Sequence, residues 1–164
     1  LKAHAQKNGL TQHVYFCGWR RDLPDVYADL DILALTSKNE GTPVSIIEAM
    51  AAATPVISTD AGGVQDLLGP KNEVSVQEGF VVCERGILSR KNDADGFARG
   101  LKHLVEMDKF QKDSMVKNAK YFVDKTFSKK RLLHDIESLY LKMMKPKSRQ
   151  KSMPGRGRPA CLPE

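Results

Sequence analysis

The sequence predicts an α/β fold in which a parallel sheet is covered by helices. Three observations lead there. Short apolar runs alternate along the chain with stretches of helical period. No tight hairpin signal joins one run to the next, so crossover connections are implied. The run Asp31-Ile32-Leu33-Ala34-Leu35 is continuously apolar after its first residue, as a strand buried on both faces should be. A length of 164 residues suits one domain with a real core and is too short for two.

Taken in order, Leu1 to Lys7 reads as the end of a helix stopped by Asn8-Gly9, a good left-handed terminator. Val14-Tyr15-Phe16-Cys17 reads as a short buried strand ending at Gly18. From Asp22 to Asp29 a short helix is expected, because Leu23, Val26, Tyr27 and Leu30 repeat at helical spacing and Asp22 is placed to cap them. After the strand at 31–35, Pro43 to Ala53 reads as a helix with Thr42 as its cap and proline at its first position. Pro55-Val56-Ile57-Ser58 is the third strand, Asp60-Ala61-Gly62-Gly63 a turn, and Val64 to Leu68 a short helix ended by Gly69-Pro70. Gly79-Phe80-Val81-Val82 is the fourth strand, preceded by a polar loop. Three helices follow, at about Asp93–Met107, Phe110–Asp124 and Ser128–Met144. Their core faces are read at Leu101, Leu104, Val105, Val116, Phe122, Leu132, Ile136, Leu139 and Tyr140.

From Lys145 to Glu164 the apolar period stops. Four of the eight prolines fall there among Ser, Gly and Lys/Arg, and six basic residues face a single acid, Glu164. This is the composition of a disordered tail. The net charge of +6 therefore belongs mainly to that tail, and the body, 1–144, is nearly neutral. A global basic face for nucleic acid is not supported. Binding through the tail alone is a minor reading that rests only on charge. The apolar fraction of 41% is that of an ordinary soluble protein, and no apolar run approaches a membrane span. Leu1-Lys2-Ala3-His4 lacks the pattern of a signal peptide, and the absence of a starting methionine fits a piece of a longer chain. Cys17, Cys83 and Cys161 are an odd, scattered set, so neither a disulfide framework nor a zinc site is expected. Cys17 and Cys83 read as buried thiols in a reducing, cytoplasmic setting. His13, His103 and His134 read as packing or solvated residues.

The segment that carries chemistry is Ser37-Lys38-Asn39-Glu40-Gly41-Thr42-Pro43-Val44-Ser45-Ile46-Ile47-Glu48-Ala49-Met50. It follows a buried strand and opens a helix, and in an open parallel sheet ligands bind at the carboxyl ends of the strands. A helix start offers unpaired N–H groups and a positive dipole end, which suit a phosphate. Glu40 precedes the helix, and Glu48 lies about 7 to 8 Å further along its axis. One carboxylate is then near a bound sugar and the other beside vicinal hydroxyls, which an acceptor-only group suits. Two plainer readings stand beside this one. Glu40 is a solvated loop residue, or Glu48 is the capping-box partner of Ser45.

In its ordered series of motifs the chain resembles the family-4 retaining glycosyltransferases, from Leu1 to about Met144. The series is Val14-Tyr15-Phe16-Cys17-Gly18, Tyr27-Ala28-Asp29-Leu30-Asp31-Ile32, Glu40-Gly41-Thr42-Pro43 through Glu48-Ala49-Met50-Ala51, Pro55-Val56-Ile57, Asp60-Ala61-Gly62-Gly63 and Gly79-Phe80-Val81-Val82. The resemblance implies a GT-B architecture of two Rossmann-like domains across a cleft, with this chain an incomplete carboxy-terminal half over 1–144. It implies that Glu40 and Glu48 are the catalytic pair, Glu40 contacting the donor sugar and Glu48 the nucleotide ribose. Gly41, Thr42, Pro43 and Val44 would receive the pyrophosphate, with a hydroxyl added by Thr42 or Ser45. Gly18, Trp19 and Arg20 would lie near the base pocket, and Gly62-Gly63 would shape the cleft loop or form a plain turn. The implied reaction moves a sugar from a nucleotide diphosphate to an acceptor hydroxyl with retention and without a bound metal or other cofactor.

The amino-terminal domain with its acceptor site is missing, as are the first strands carrying the Arg and Lys that clamp the diphosphate; Lys38 is a poor substitute. Little or no transferase activity is therefore expected of the chain alone. The alternative is a non-catalytic nucleotide- or partner-binding module, or one half of a split enzyme. Peripheral membrane association of a full-length enzyme and self-association through exposed apolar surface stay open.

Overall fold

A computed structural model of the chain describes residues 1–71 and 79–144. The loop before Gly79, Cys161 and the tail from Lys145 lie outside the described residues. The chain divides into two compact units, Leu1–Ser128 and Lys129–Glu164. The first unit contains α1 (Lys2–Lys7), α2 (Leu23–Asp29), β1 (Leu33–Leu35), α3 (Val44–Ala51), β2 (Val56–Thr59) and α4 (Val64–Leu68). It continues with β3 (Phe80–Cys83), β4 (Gly86–Ser89), α5 (Ala94–Glu106) and α6 (Lys109–Thr126). The second unit contributes α7 (Lys129–Met144).

The sheet runs β1-β2-β4-β3. β1, β2 and β4 are parallel, with Leu33 opposite Val56 and Ile57 opposite Ile87. β3 is antiparallel to β4. The Rossmann-like sheet with flanking helices is thus present, but as a mixed sheet. The all-parallel expectation fails at Glu84-Arg85, where a two-residue turn joins β3 to β4. That turn lacks the Asn-Gly or Asp-Gly wording of a strong hairpin signal. Its arginine replaces the missing turn chemistry with tertiary contacts. Arg85 donates from Nε to the Leu67 carbonyl at 2.7 Å, and its guanidinium lies 3.9 Å from the centre of the Phe122 ring.

Period-two alternation divides the strands between two cores. Val56 and Leu88 pack with Ile46, Met50, Leu67, Leu68 and Val123 on one face. Ile57 and Ile87 pack with Phe80, Leu104 and Met115 on the other. Helices therefore cover both faces, as a sheet with parallel strands requires. α5 and α6 begin where acidic residues cap them. Asp93 accepts from Gly96 N–H at 2.7 Å, and Asp108 accepts from the N–H groups of Phe110 and Gln111.

Several expectations are corrected. Val14–Cys17 forms no strand, and Tyr15 is 82% exposed. A strand exists only by pairing, and no described strand pairs with this segment. Cys17 is accordingly exposed, while Cys83 is buried. β1 is not buried on both faces, because among the described residues it is an edge strand paired only with β2, and its Ala34 is exposed. Thr42 does not cap α3, and Asp22 does not cap α2; its carboxylate instead takes the Arg20 guanidinium. Leu101, Leu104, Val116 and Phe122 are buried or half-buried, but Val105 is exposed. Leu132, Ile136, Leu139 and Tyr140 on α7 are exposed too. Helical period marks an apolar stripe but does not supply the surface that covers it.

α3 ends in a left-handed turn. Thr54 N–H donates to the Ala49 carbonyl at 2.9 Å and Ala53 N–H to Met50 at 3.1 Å, with Ala53 at φ 62°. This six-to-one and five-to-two pairing favours glycine at the left-handed position. Ala53 is exposed and gives up no packing there. Ala53→Gly should therefore raise the unfolding free energy by about 0.5–1 kcal/mol. Urea denaturation checks this, and an unchanged or lowered midpoint would count against the strain at Ala53.

Candidate functional site

β1, β2 and β4 point the same way, so their carboxyl ends deliver three loops to one edge of the sheet. The loop after β1 runs into α3, and the turn after β2 runs into α4. These two connections are stitched together at two points. Thr59 Oγ1 donates to the Ser37 carbonyl, and Gly63 N–H donates to the Gly41 carbonyl at 2.8 Å. Between the stitches the backbones nearly touch. A β-carbon on Gly62 would lie 1.8 Å from the Glu40 carbonyl oxygen, and one on Gly63 would lie 2.7 Å from that of Gly41. Gly62 also sits at φ 55°, where side chains are disfavoured. Gly62-Gly63 therefore does more than turn the chain: it seats the loop that carries Glu40.

Glu40 is half-buried, and its carboxylate has no hydrogen-bond or ion-pair partner among the described residues. Gly41 and Thr42 are exposed, and Pro43 is buried at the helix boundary. Val44 is 62% exposed and Ser45 half-buried on the first turn of α3. No side chain caps this helix, so its first N–H groups are left for solvent or a ligand. Glu48 lies about 6 Å along the axis from Val44. It is not the capping partner of Ser45: its Oε2 accepts from the Tyr27 hydroxyl at 3.0 Å. Burial first, and then the bond to Glu48, pushes the Tyr27 phenol up to about 12, so it remains a donor at neutral pH. Sequence reasoning used Tyr27 as an apolar helix position and as part of one motif, with no role for its hydroxyl, because a tyrosine at helical spacing looks the same whether its hydroxyl is used or not.

Gly18, Trp19 and Arg20 lie in the irregular segment before α2. Gly18 has φ 66° and open space where a β-carbon would be. Trp19 is 83% exposed, with the Arg21 guanidinium 5.1 Å from its ring centre. Arg20 is held by Asp22, whose carboxyl lies below the usual range because of that hydrogen bond. Lys38 is exposed and without a partner among the described residues. It lines a cleft of about 380 Å³ with Thr36, Ser37, Thr59, Lys91 and Phe97 at the strand ends. His13 and His134 are exposed, and His103 packs on Phe80 with ring centres 5.3 Å apart. Among the described residues no cluster of His, Cys, Asp and Glu is placed to hold a metal ion, and no helix is long and apolar enough to cross a membrane.

Against known proteins, residues 1–107 match the family described as "Glycosyl transferases group 1". The lipopolysaccharide core biosynthesis mannosyltransferase LpsB of Rhizobium meliloti is 35% identical over 97 residues, 59% of this chain and 27% of that protein. The UDP-Gal:alpha-D-GlcNAc-diphosphoundecaprenol alpha-1,3-galactosyltransferase of Escherichia coli is 29% identical over 135 residues, 82% of this chain and 31% of that protein. Among solved structures, Anabaena HepE in complex with UDP and glucose superposes with a TM-score of 0.70 at 25% identity, over 85% of this chain and 35% of that one. The chain thus spans about a third of the length of such relatives.

The glycine contact makes a direct prediction. Gly62→Ala should destabilise the protein by at least about 2 kcal/mol or push the Glu40-Gly41 loop off the β2–α4 turn, since both the φ angle and the close approach oppose a side chain. Chemical denaturation with amide hydrogen exchange at Gly63 reads both effects. An unshifted midpoint with full protection at Gly63 would show that Gly62 has room for a side chain and that its backbone does not crowd the Glu40 carbonyl.

Proposed function

The chain belongs to the glycosyl transferases group 1, and on that footing we propose that it is the donor-binding half of a family-4 retaining glycosyltransferase. It binds a nucleotide-diphosphate sugar, and the complete enzyme moves the sugar to an acceptor hydroxyl. The observation that carries this reading is the glycine-seated loop, which fixes the backbone of Glu40 ahead of the uncapped start of α3 while Glu48 is held further along that helix.

The roles follow from the chemistry. As the bond from sugar to diphosphate breaks, positive charge grows on the sugar ring and negative charge on the leaving phosphate. Glu40, whose carboxylate is uncommitted, faces the first. The N–H groups of Gly41, Thr42, Val44 and Ser45 meet the second in a fixed orientation, which costs no reorganisation during reaction. Thr42 and Ser45 supply hydroxyls beside them, with Pro43 fixing the entry to the helix. Glu48 accepts from the ribose diol, and Gly18, Trp19 and Arg20 border the base. No metal or other cofactor is required for these steps. The acceptor wall belongs to a further domain and the basic clamp for the diphosphate to strands outside this chain; the match covers about a third of each relative, which leaves room for both. In that setting the enzyme works in the cytoplasm, at or near the membrane surface. The chain alone lacks the positioning that can supply several kcal/mol of rate enhancement, so it turns over little or no substrate.

Calorimetric titration with UDP, GDP and ADP tests the reading. One of them should bind, Glu48→Ala should weaken it at least about tenfold, and Glu40→Ala should erase the extra affinity of the matching nucleotide sugar. A folded chain that binds none at millimolar concentration refutes the donor-half reading. Sugar transfer by the purified chain overturns its inactivity.

A further inference from the structure

Glu48 sits on a half-exposed helix face with three side-chain torsions to be fixed before it can hold a ligand. One contact fixes them. The Tyr27 hydroxyl has a single proton, and it is given to Glu48 Oε2 at 3.0 Å. The bond uses one acceptor position of the carboxylate and leaves Oε1 and the rest of Oε2 for two further donors, the number a vicinal diol brings. Tyr27 is held in turn. Its main-chain carbonyl accepts from Thr54 Oγ1 at 2.8 Å, and Thr54 is only 4% exposed. Thr54 itself is the last residue of the left-handed turn that ends α3, with its N–H on the Ala49 carbonyl. The helix that carries Glu48 therefore grips, through its own end, the residue that aims Glu48. Tyr27, Glu48, Leu23, Pro24, Ala51 and Ala52 line one recess of about 330 Å³, mostly apolar, where a hydrogen bond is stronger than in open water.

We propose that Tyr27 is a positioning residue for ribose recognition: its hydroxyl orients the Glu48 carboxylate toward the 2′,3′-diol of the nucleotide, with Thr54 anchoring Tyr27. This rests on the reading of Glu48 as the ribose acceptor. It also connects the two sides of the nucleotide site, because α2 begins at Asp22, which holds Arg20 at the base-side segment, and carries Tyr27 in the next turn.

The test is a comparison of UDP with 2′-deoxy-UDP by calorimetry on the full chain, as wild type, Tyr27→Phe, Thr54→Val and Glu48→Gln, with thermal melting of each. The wild type should prefer UDP by about tenfold. Tyr27→Phe should cut that preference to about threefold or less while leaving 2′-deoxy-UDP affinity unchanged, and Thr54→Val should cut it in part. Equal weakening of both ligands would mean that the bond only packs α2 on α3, and would overturn the proposal. So would a full preference in Tyr27→Phe, or in Thr54→Val should Tyr27→Phe not fold. If Glu48→Gln loses the preference and Tyr27→Phe keeps it, Tyr27 alone is misassigned. If the wild type binds UDP without a preference, the ribose role of Glu48 fails and the proposal fails with it. If it binds neither form of UDP, the same comparison with GDP and ADP decides, and binding of none of the three overturns the donor-half reading and this proposal with it.

Discussion

The contact between the Gly62-Gly63 turn and the Glu40-Gly41 loop is the constraint on which the site depends. Two backbones approach so closely that neither glycine has room for a methyl group. This closeness lets Gly63 N–H reach the Gly41 carbonyl, while Thr59 ties the other end of the loop at Ser37. A loop of this kind would otherwise sample many conformations, at a cost of about 1–2 kcal/mol per residue whenever a ligand ordered it. Two stitches, one to a buried strand and one to the turn that follows it, meet that cost during folding. On the donor-half reading, the loop then meets its ligand already shaped, which is the condition for electrostatic stabilisation without reorganisation.

The stitches hold because β2 is itself rigid. All four of its residues are buried, and it is paired on both sides, to β1 and to β4. The hairpin that was not anticipated braces the far side of the sheet. Arg85 at its tip bonds the last carbonyls of α4, the helix that Gly62-Gly63 introduces. The rigidity of the glycine turn thus extends from β2 through α4 to the β3–β4 hairpin, with no element of that path resting on the exposed segment before α2.

The parts of this arrangement legible in the sequence are those governed by local chemistry. Val64–Leu68 is a helix bounded by glycines, and Asp93 starts a helix because a carboxylate there can take the orphan N–H of Gly96. The place of the Glu40-Gly41-Thr42 loop was also readable, since a Gly-Thr-Pro stretch between an apolar run and a helix period marks the carboxyl end of a strand. What was not readable depends on partners far away in sequence. Val14–Cys17 has the wording of a strand but no described neighbour to pair with. The Glu84-Arg85 turn succeeds through Leu67 and Phe122 rather than through its own residues. Ser45 and Glu48 match a capping box in spacing, yet Glu48 bonds to a tyrosine twenty-one positions earlier.

The two glutamates are held in opposite ways, and this fits a division of labour. Glu40 has a backbone pinned by the glycine turn and a carboxylate with no partner among the described residues. Glu48 sits within a regular helix, where its carboxylate is held by Tyr27 and only part of its acceptor capacity is free. A group that serves a reacting centre needs its charge free for the reaction, and is best left unpaired on a fixed support. A group that binds an unreactive part of the substrate, such as a ribose, contributes equally to ground and transition states, and gains from being fixed in advance. On the donor-half reading, the first pattern is the one wanted beside the sugar and the second the one wanted beside the ribose. Reversing the assignment would place the uncommitted carboxylate where nothing changes during reaction, and the committed one where the charge does.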